Sequence, residues 1–500
     1  MKSAQRGGVA LERVTTGVAR LDEILHGGIP RYSVVFITGL PGTGKTILSQ
    51  QALFANGRQG RTGLYLSTIS EPPIKVLRFL QSLAFFDPGL FGSCVIYDDL
   101  GGPLRGEGPA GLLRKLDQLV HQHRPEFVVI DSFKALRDTI ADPLAFREFT
   151  SDVAIRLAAW EVTAFLVGEY SADDVREGAE FAIADGIIYL YGTEEAERQK
   201  RFLRVMKMRG TPYFPGEHLF EIAPNGITVY PRMAPQVVGE YELRGARFGS
   251  AIEGLSEMLG GGPYESTVTL ISGGTGTGKT VVALSFAVEG ARRGQPGLYV
   301  SFEESPQQVA RNTQAFGWDV AGLIDRRLLD ILHVSPSELD IDRHAFVIKE
   351  RAERLGASLL VIDSISAFEA AVPDRAKYQN YLWAINDYFK RKGVTVILTT
   401  EVPNPFAPLE ISTRGVSFVA DNVIFLRYMD VEGQIKPAIG ALKMRGSRHD
   451  AALRELIIDP PRLAIGPILR RAPMRLPVAC LPAEEELAAP ALQPEAGTRG

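Results

Sequence analysis

The sequence predicts an α/β protein made of two tandem domains, each a mostly parallel β-sheet flanked by helices. Three observations indicate this fold: a phosphate-binding loop pattern occurs twice, the segments around the two loops resemble each other, and short apolar runs alternate with helical stretches. The 500 residues are 45% hydrophobic and 23% charged, which suits a globular chain with two or three full cores. We expect the first domain at 10–235 and the second at 245–468, joined near the proline-punctuated stretch 231–245.

The stretches ITGLPGTGKT (37–46) and ISGGTGTGKT (271–280) both match the phosphate-binding loop pattern. An apolar run typical of a buried strand leads into each loop and a helical stretch follows it, so the helix N-terminus would face an anion. The glycines let backbone N–H groups approach phosphate oxygens, the lysine contacts the β- and γ-phosphates of ATP, and the next threonine binds Mg²⁺. A chance glycine-rich turn is the alternative, and it is harder to accept for two copies in the same context. The predicted nucleotide-binding residues are Gly39, Gly42, Thr43, Gly44, Lys45 and Thr46, and Gly273, Thr275, Gly276, Thr277, Gly278, Lys279 and Thr280.

Similarity between the two halves extends well beyond the loops. Lys45 and Lys279 are 234 positions apart, and a shift of about that distance aligns several further segments. The aligned segments are LDEILHGGIP (21–30) with LSEMLGGGPY (255–264), GLYLS (63–67) with GLYVS (297–301), VVIDS (128–132) with LVIDS (360–364), and KMRG (207–210) with KMRG (443–446). A repeat this long indicates duplicated domains. In the second copy the predicted strands are 268–272, 298–302, 359–362, 394–399 and 422–426, with a later strand leading into KMRG.

Asp131 and Asp363 each end an apolar strand, which is where a phosphate-loop site needs an aspartate to anchor Mg²⁺. We predict that each acts with the threonine of its loop, Thr46 or Thr280. Because a serine follows each aspartate, the alternative is that the aspartate caps a helix.

Hydrolysis of ATP also needs a carboxylate that accepts a proton from the attacking water. Glu303 and Glu304 follow the strand LYVSF (298–302) directly, at the edge of the sheet where ligands bind, and we predict that they are catalytic. Two adjacent acids on a solvated surface loop are the alternative. The aligned residues of the first copy are Ile69 and Ser70, with one carboxylate, Glu71, displaced by one position, so hydrolysis in the first domain is an open question.

The repeated KMRG places Lys207 and Arg209, and Lys443 and Arg445, near strand ends with both side chains pointing the same way. One such pair would be an ordinary basic strand end on the surface. Because the pair recurs beside two phosphate loops, we favour a role like that of an arginine finger, in which one subunit supplies the cations that neutralise a phosphate bound by its neighbour. We expect these cations to be unpaired in an isolated chain.

The tandem loops, the FEES stretch at 302–305, VIDS and the doubled KMRG resemble the KaiC family of circadian clock ATPases within the RecA superfamily. The resemblance covers about 14–465. It implies RecA-like domains that form two-tiered hexameric rings with ATP at every subunit interface and with the KMRG lysines and arginines acting in trans. It also places Phe316 near the adenine.

In the KaiC family the second lobe is also a kinase that phosphorylates its own adjacent Ser and Thr, with the glutamate pair as base. Counting back from Asp421, those two positions are Ser417 and Phe418 in this sequence, so the serine is kept and the threonine is replaced. The repeat partner of Ser417 is Phe181. We therefore predict at most single-site autokinase activity, with a turn or cap serine as the alternative.

Composition limits the other function classes. The formal net charge is −4 and no basic block occurs, so nucleic acid is not an expected partner. The N-terminus lacks the apolar core of a signal peptide, no apolar run is long enough to span a bilayer, and Cys94 and Cys480 are the only cysteines. We expect a cytoplasmic protein with a disordered Pro/Ala/Glu-rich tail at 469–500.

Three functions remain open at this point. One is a homo-hexameric ATPase and autokinase that reports its nucleotide state to protein signalling partners. The second is a DNA-dependent ATPase like RecA or RadA, which a DNA-stimulated ATPase assay would separate from the first. The third is a nucleotide-gated scaffold in which hydrolysis hardly matters, which the missing glutamate pair favours for the first domain.

Overall fold

The computed structural model describes residues 11–68, 73–140, 142–195, 198–233, 245–372, 374–402 and 419–469. The chain divides into two compact units, 1–235 with 340–350 and 236–339 with 351–500. We call 11–233 the first lobe and 245–469 the second lobe. Within the described ranges, no helix is both long enough and apolar enough to cross a membrane.

The first lobe contains eleven strands and seven α-helices among its described residues. The strands are β1 (Arg13–Val14), β2 (Ile29–Pro30), β3 (Val34–Gly39), β4 (Gly63–Ser67), β5 (Val95–Asp99), β6 (Phe127–Asp131), β7 (Thr163–Glu169), β8 (Gly186–Glu195), β9 (Arg198–Met208), β10 (His218–Ala223) and β11 (Gly226–Tyr230). The helices are α1 (Ala19–Ile24), α2 (Lys45–Gly57), α3 (Pro73–Leu80), α4 (Gly101–His123), α5 (Phe133–Thr139), α6 (Pro143–Ala159) and α7 (Ala172–Glu177).

The second lobe contains nine strands and seven α-helices in the part of it that is described. The strands are β12 (Val268–Gly273), β13 (Gly297–Ser301), β14 (Leu329–His333), β15 (Leu359–Asp363), β16 (Thr395–Glu401), β17 (Asn422–Val431), β18 (Gln434–Met444), β19 (Arg454–Asp459) and β20 (Arg462–Ile468). The helices are α8 (Leu255–Met258), α9 (Lys279–Arg292), α10 (Pro306–Gln314), α11 (Val320–Asp325), α12 (Ile341–Leu355), α13 (Ile365–Ala371) and α14 (Arg375–Arg391).

Each lobe has one nine-stranded sheet, and the two sheets have the same topology. The orders are β5-β4-β6-β7-β3-β8-β9-β10-β11 and β14-β13-β15-β16-β12-β17-β18-β19-β20. The first six strands of each order are parallel and the remaining three extend the sheet as an antiparallel meander. The predicted fold class, two tandem α/β domains with mostly parallel sheets, is confirmed.

The strand that leads into each phosphate loop is central and completely buried. All six residues of β3 and all six of β12 are buried, as expected for a parallel strand covered by helices on both faces. In β3, Val35 and Ile37 pack into one core cluster while Val34 and Phe36 pack into another, because successive side chains point to opposite faces. This burial fixes the position from which the loop starts.

The predicted strands of the second lobe differ from the observed ones at their ends, and β14, β19 and β20 were not predicted. The predicted strand 422–426 is only the first half of β17, which runs on to Val431 and forms a hairpin with β18. The sequence did not indicate that extension, because charged residues such as Arg427 and Asp430 interrupt its apolar pattern. The helices α2 and α9 begin at Lys45 and Lys279, two residues earlier than predicted, so the lysines lie in the first helical turn.

Candidate functional site

The two phosphate loops have the same backbone and side-chain geometry. Gly44 and Gly278 precede the helices with φ of 95° and 96°, a left-handed conformation that favours glycine. Lys45 Nζ donates to the Leu40 carbonyl and Lys279 Nζ donates to the Gly274 carbonyl, both at 2.8 Å. Each loop is therefore closed over its own lysine in the same way.

A hydroxyl and a carboxylate meet beside each loop. Thr46 Oγ1 donates to Asp131 Oδ2 at 2.8 Å, and Thr280 Oγ1 donates to Asp363 Oδ2 at the same distance. Asp131 ends β6 and Asp363 ends β15. In the sheet order, one strand separates each of these from the loop strand of its lobe, β3 or β12. Neighbouring hydroxyl and carboxylate oxygens are the hard ligands that Mg²⁺ prefers, so these residues fit the metal role predicted for them.

The helix-cap alternative does not describe the two aspartates. Ser132 and Ser364 occupy the N-cap positions of α5 and α13, and Ser364 Oγ accepts a hydrogen bond from the Ser366 amide. The carboxylates point instead at the hydroxyls of their loops.

A buried tyrosine hydroxyl also donates to each aspartate, which the sequence analysis missed. Tyr65 donates to Asp131 at 2.9 Å and Tyr299 donates to Asp363 at 2.5 Å. Burial raises the pKa of both tyrosines well above the usual value, so both remain protonated donors. Both belong to the repeated GLYLS and GLYVS segments, and that repetition was the available signal.

The loop lysines are buried beside carboxylates that the sequence analysis also missed. Burial lowers the pKa of Lys45 and Lys279, while neighbouring negative charges oppose that shift. Glu169 is the stronger of the two charges acting on Lys45, ahead of Asp131, and Glu401 is the strongest acting on Lys279. These glutamates end β7 and β16, the strands hydrogen-bonded to the loop strands.

Each lobe has a cavity at its phosphate loop. The first has a volume of about 680 Å³, and Gly42, Lys45, Thr46, Asp131 and Glu169 line it. The second has a volume of about 190 Å³, and the residues that line it include Thr280, Glu303, Glu304, Phe316 and Asp363. The structure thus brings together the predicted glutamate pair, the predicted adenine-contacting phenylalanine and the predicted metal ligands of the second lobe.

The glutamate pair has two different environments. Glu304 accepts a hydrogen bond from Asn312 Nδ2 at 2.8 Å, whereas Glu303 projects from the strand end toward the carboxylates of Asp363 and Glu401. Partial burial, then Asp363 and then Glu401, raise the pKa of Glu303 above its usual value. A raised pKa makes Glu303 a better proton acceptor near neutral pH than an ordinary glutamate.

The KMRG arginines do not behave as the sequence analysis expected. Arg209 pairs with Asp185 at 3.4 Å and Arg445 pairs with Asp421 at 3.2 Å, so the expectation of unpaired cations in an isolated chain is wrong for both. In addition, Lys443 Nζ donates to the Ala420 carbonyl at 2.6 Å. Sequence spacing gave no sign of these partners, which lie on the neighbouring strand of the sheet.

The KMRG cations also lie far from the loop of their own lobe. The amide of Arg209 donates to the Asp185 carbonyl, and the Asp185 amide donates to the Val34 carbonyl at the start of β3. The loop follows the other end of this strand, five residues and about 17 Å away. That distance exceeds the reach of a lysine or arginine side chain, so Lys207 and Arg209 cannot contact a phosphate in their own loop.

Two of the predicted site residues, Glu71 and Ser417, lie outside the described residues, as do Ile69, Ser70 and Phe418.

Comparison with known proteins agrees with this geometry. A family model described as "ATPase: KaiC" matches residues 14–234 and, a second time, residues 248–469. The chain belongs to the KaiC ATPase family. Relatives of the KaiC family include "Circadian clock oscillator protein KaiC" of Picosynechococcus sp., which is 30% identical over 93% of this chain and 91% of its own length.

Two further KaiC relatives are similar over almost the whole chain. "Circadian clock oscillator protein KaiC" of Rippkaea orientalis is 28% identical over 90% of this chain and 88% of its own length. "Circadian clock protein KaiC3" of Synechocystis sp. is 28% identical over 91% of this chain and 92% of its own length. Both tandem KaiC domains are therefore present, and each carries the nucleotide-binding loop.

Proposed function

We propose that both lobes bind Mg·ATP and that the chain hydrolyses it. The observation that carries this proposal is the duplicated set of loop lysine, threonine and aspartate, with the same 2.8 Å contacts in both lobes. Thr46 with Asp131, and Thr280 with Asp363, would hold the Mg²⁺, which supplies positive charge to the phosphates when bound. Lys45 and Lys279 would exchange their carbonyl contacts for phosphate oxygens.

In the second lobe, Glu303 would take the proton of the attacking water or hydroxyl. The pKa of Glu303 is raised and so lies closer to pH 7 than that of an ordinary glutamate, which improves proton transfer near neutral pH. Glu304 would hold the segment after β13 in place through its hydrogen bond with Asn312. Phe316, on the wall of the same cavity, would contact the adenine.

We also propose that ATP drives assembly into a homo-hexamer with nucleotide at the subunit interfaces. The position of the KMRG cations supports this, because they cannot reach the loop of their own lobe and would meet a phosphate only on another chain. In the assembled state Arg209 and Arg445 would contact a phosphate while keeping their ion pairs with Asp185 and Asp421. Bidentate contacts of this kind favour arginine.

Assembly can be tested by native mass spectrometry and light scattering with and without Mg·ATP. We expect a hexamer with nucleotide, and weaker assembly in Arg209→Ala and Arg445→Ala variants. The matched control is Arg176→Ala, an exposed arginine paired with Asp173 on α7. A chain that stays monomeric at micromolar concentration with saturating nucleotide would contradict the proposal.

The finer part of the proposal is autokinase activity of the second lobe at Ser417, with the hexamer reporting its nucleotide state to protein partners. Support comes from the family, in which the second lobe modifies its own residues, and from the glutamate pair that only this copy carries. The test is phosphopeptide mapping after incubation with Mg·ATP. Phosphate should be found at Ser417 in the native chain and be lost in Ser417→Ala and in the Glu303→Gln, Glu304→Gln double variant. An unmodified Ser417 in a hydrolysing hexamer would leave an ATPase without kinase activity.

A further inference from the structure

A glutamate stands at the end of the strand next to the loop strand in both lobes. In the parallel register Glu169 pairs with Gly39, the first glycine of the first loop, and Glu401 pairs with Gly273, the first glycine of the second. Each is the foremost negative charge acting on the loop lysine of its lobe. The position was therefore duplicated together with the loop.

The surroundings of the two glutamates differ. Glu401 accepts a hydrogen bond from the hydroxyl of Thr275 in the second loop. The corresponding residue of the first loop is Pro41, whose side chain has no group to donate. Glu169 is exposed at its strand end and lines the cavity that also holds Lys45 and Asp131.

Two other charged groups of the first cavity already have local partners. Asp131 accepts hydrogen bonds from Thr46 and Tyr65, and Lys134 is paired with Asp174 at 3.3 Å. Asp138 also lines the cavity, but it belongs to α5 and is not among the charges that act on Lys45. Glu169 is thus the carboxylate of this cavity whose charge acts most strongly on Lys45, and it is not one of the predicted metal ligands.

We propose that Glu169 is the proton acceptor for ATP hydrolysis in the first lobe, where Ile69 and Ser70 replace the glutamate pair. The water oxygen forms a bond to the γ-phosphorus while the bond from that phosphorus to the β,γ-bridging oxygen breaks. The proton of the water passes to the Glu169 carboxylate and then to solvent, and ADP and phosphate leave. This inference rests on the proposed binding of ATP in the first lobe.

The experiment uses the full chain with Lys279→Ala, which removes nucleotide chemistry from the second lobe. In this background we expect Glu169→Gln to lower kcat at least tenfold while changing the affinity for ATP less than threefold, because the amide keeps the shape and loses the base. The matched control is Glu161→Gln, the same substitution at an exposed glutamate two residues before the opposite end of β7. Equilibrium binding of a fluorescent ATP analogue and the thermal unfolding midpoint report on binding and folding separately.

Each outcome separates the inference from the proposed function. A fall in kcat for Glu169→Gln, with binding and stability like those of the Glu161→Gln control, supports the inference. The inference would be overturned by unchanged turnover in Glu169→Gln, or by no turnover at all in the Lys279→Ala background. In either case, hydrolysis by the native second lobe would still uphold the proposed function. If the native chain hydrolysed no ATP, both would be wrong.

Discussion

The first and second lobes share one topology and one set of loop contacts, yet they differ in several of the side chains around those contacts. Ile69 stands where the second lobe has Glu303, Pro41 where it has Thr275, and Val167 where it has Thr399. The loop lysine, threonine and aspartate are thus repeated, while the glutamate pair is found in the second lobe alone.

The two aspartates illustrate the difference at a single position. Asp363 accepts hydrogen bonds from three side chains, Thr280, Tyr299 and Thr399. Asp131 accepts them from Thr46 and Tyr65, and Val167 stands where the second lobe has Thr399. The Thr399 hydroxyl thus gives Asp363 a hydrogen bond that the side chain of Val167 cannot make to Asp131.

The largest expected effect comes from removing the carboxylates that only the second lobe has. In the Glu303→Gln, Glu304→Gln double variant, we expect second-lobe turnover to fall about 100-fold or more because the base is lost, with ATP still bound. Turnover should be measured in a Lys45→Ala background, so that the first lobe does not contribute. The control is Glu257→Gln with Glu432→Gln, two exposed glutamates of the same lobe. Full turnover in the double variant would show that the catalytic assignment is wrong.

The next effect concerns the first lobe alone. Lys45→Ala should weaken nucleotide binding there at least tenfold, because the only loop side chain that brings positive charge to the phosphates is gone. We expect assembly to weaken with it, while chemistry in the second lobe is retained per assembled chain. Native mass spectrometry and phosphate release measure the two quantities on one sample. Lys115→Ala, which removes a surface ion pair with Asp98, is the control and should change neither. Loss of second-lobe chemistry with assembly intact would contradict this division of roles.

A smaller effect is expected from the buried tyrosines. Tyr65→Phe and Tyr299→Phe each remove a hydrogen bond to a carboxylate and should lower the stability of their lobe by about 1–2 kcal/mol. The loss should be larger for Tyr65→Phe, because Asp363 also accepts a hydrogen bond from Thr399, whereas Val167 at the corresponding position of the first lobe has no hydroxyl. Hydrogen exchange of the amides in β6 and β15 reports each lobe separately. Tyr388→Phe, which removes an exposed contact with Glu353, serves as the control. Equal losses in the two lobes would mean that the extra donor at Asp363 contributes nothing.

The smallest effect is on the pH dependence of the second lobe. Because the pKa of Glu303 is raised, this base should become protonated, and turnover should fall, at a higher pH than for an ordinary glutamate. Glu401→Gln removes one of the negative charges that raise that pKa, so the acid limb of the kcat profile should move to lower pH. The profile is measured at saturating Mg·ATP, with Glu432→Gln as the control. An acid limb that moves to higher pH would contradict the assigned interaction.

The sequence predicted the features of this fold that depend on local pattern. Two glycine-rich loops, apolar strands ending in Asp131 and Asp363, and the 234-residue repeat were enough for the fold class and for the threonine–aspartate pairs. These features can be predicted because each depends on consecutive residues or on a repeat at a fixed sequence spacing.

The parts that escaped prediction depend on which strands become neighbours. Glu169 reaches the first loop because β7 pairs with β3 across more than a hundred residues, and no local pattern encodes that pairing. The pairing of Arg209 with Asp185 likewise depends on the β8–β9 hairpin, so the sequence suggested free cations where the fold supplies partners. In both cases the missed residue was repeated in the other lobe, as Glu401 and as Asp421.

The central claim is that one chain holds two nucleotide sites, and counting the nucleotides bound per chain tests it most directly. Native mass spectrometry of the Glu303→Gln, Glu304→Gln chain in excess Mg·ATP avoids turnover in the second lobe during the measurement. We predict two nucleotides per chain, one after either Lys45→Ala or Lys279→Ala is added, and none after both. The claim would be contradicted by a chain that binds one nucleotide at saturation and loses it after replacement of one lysine but not of the other.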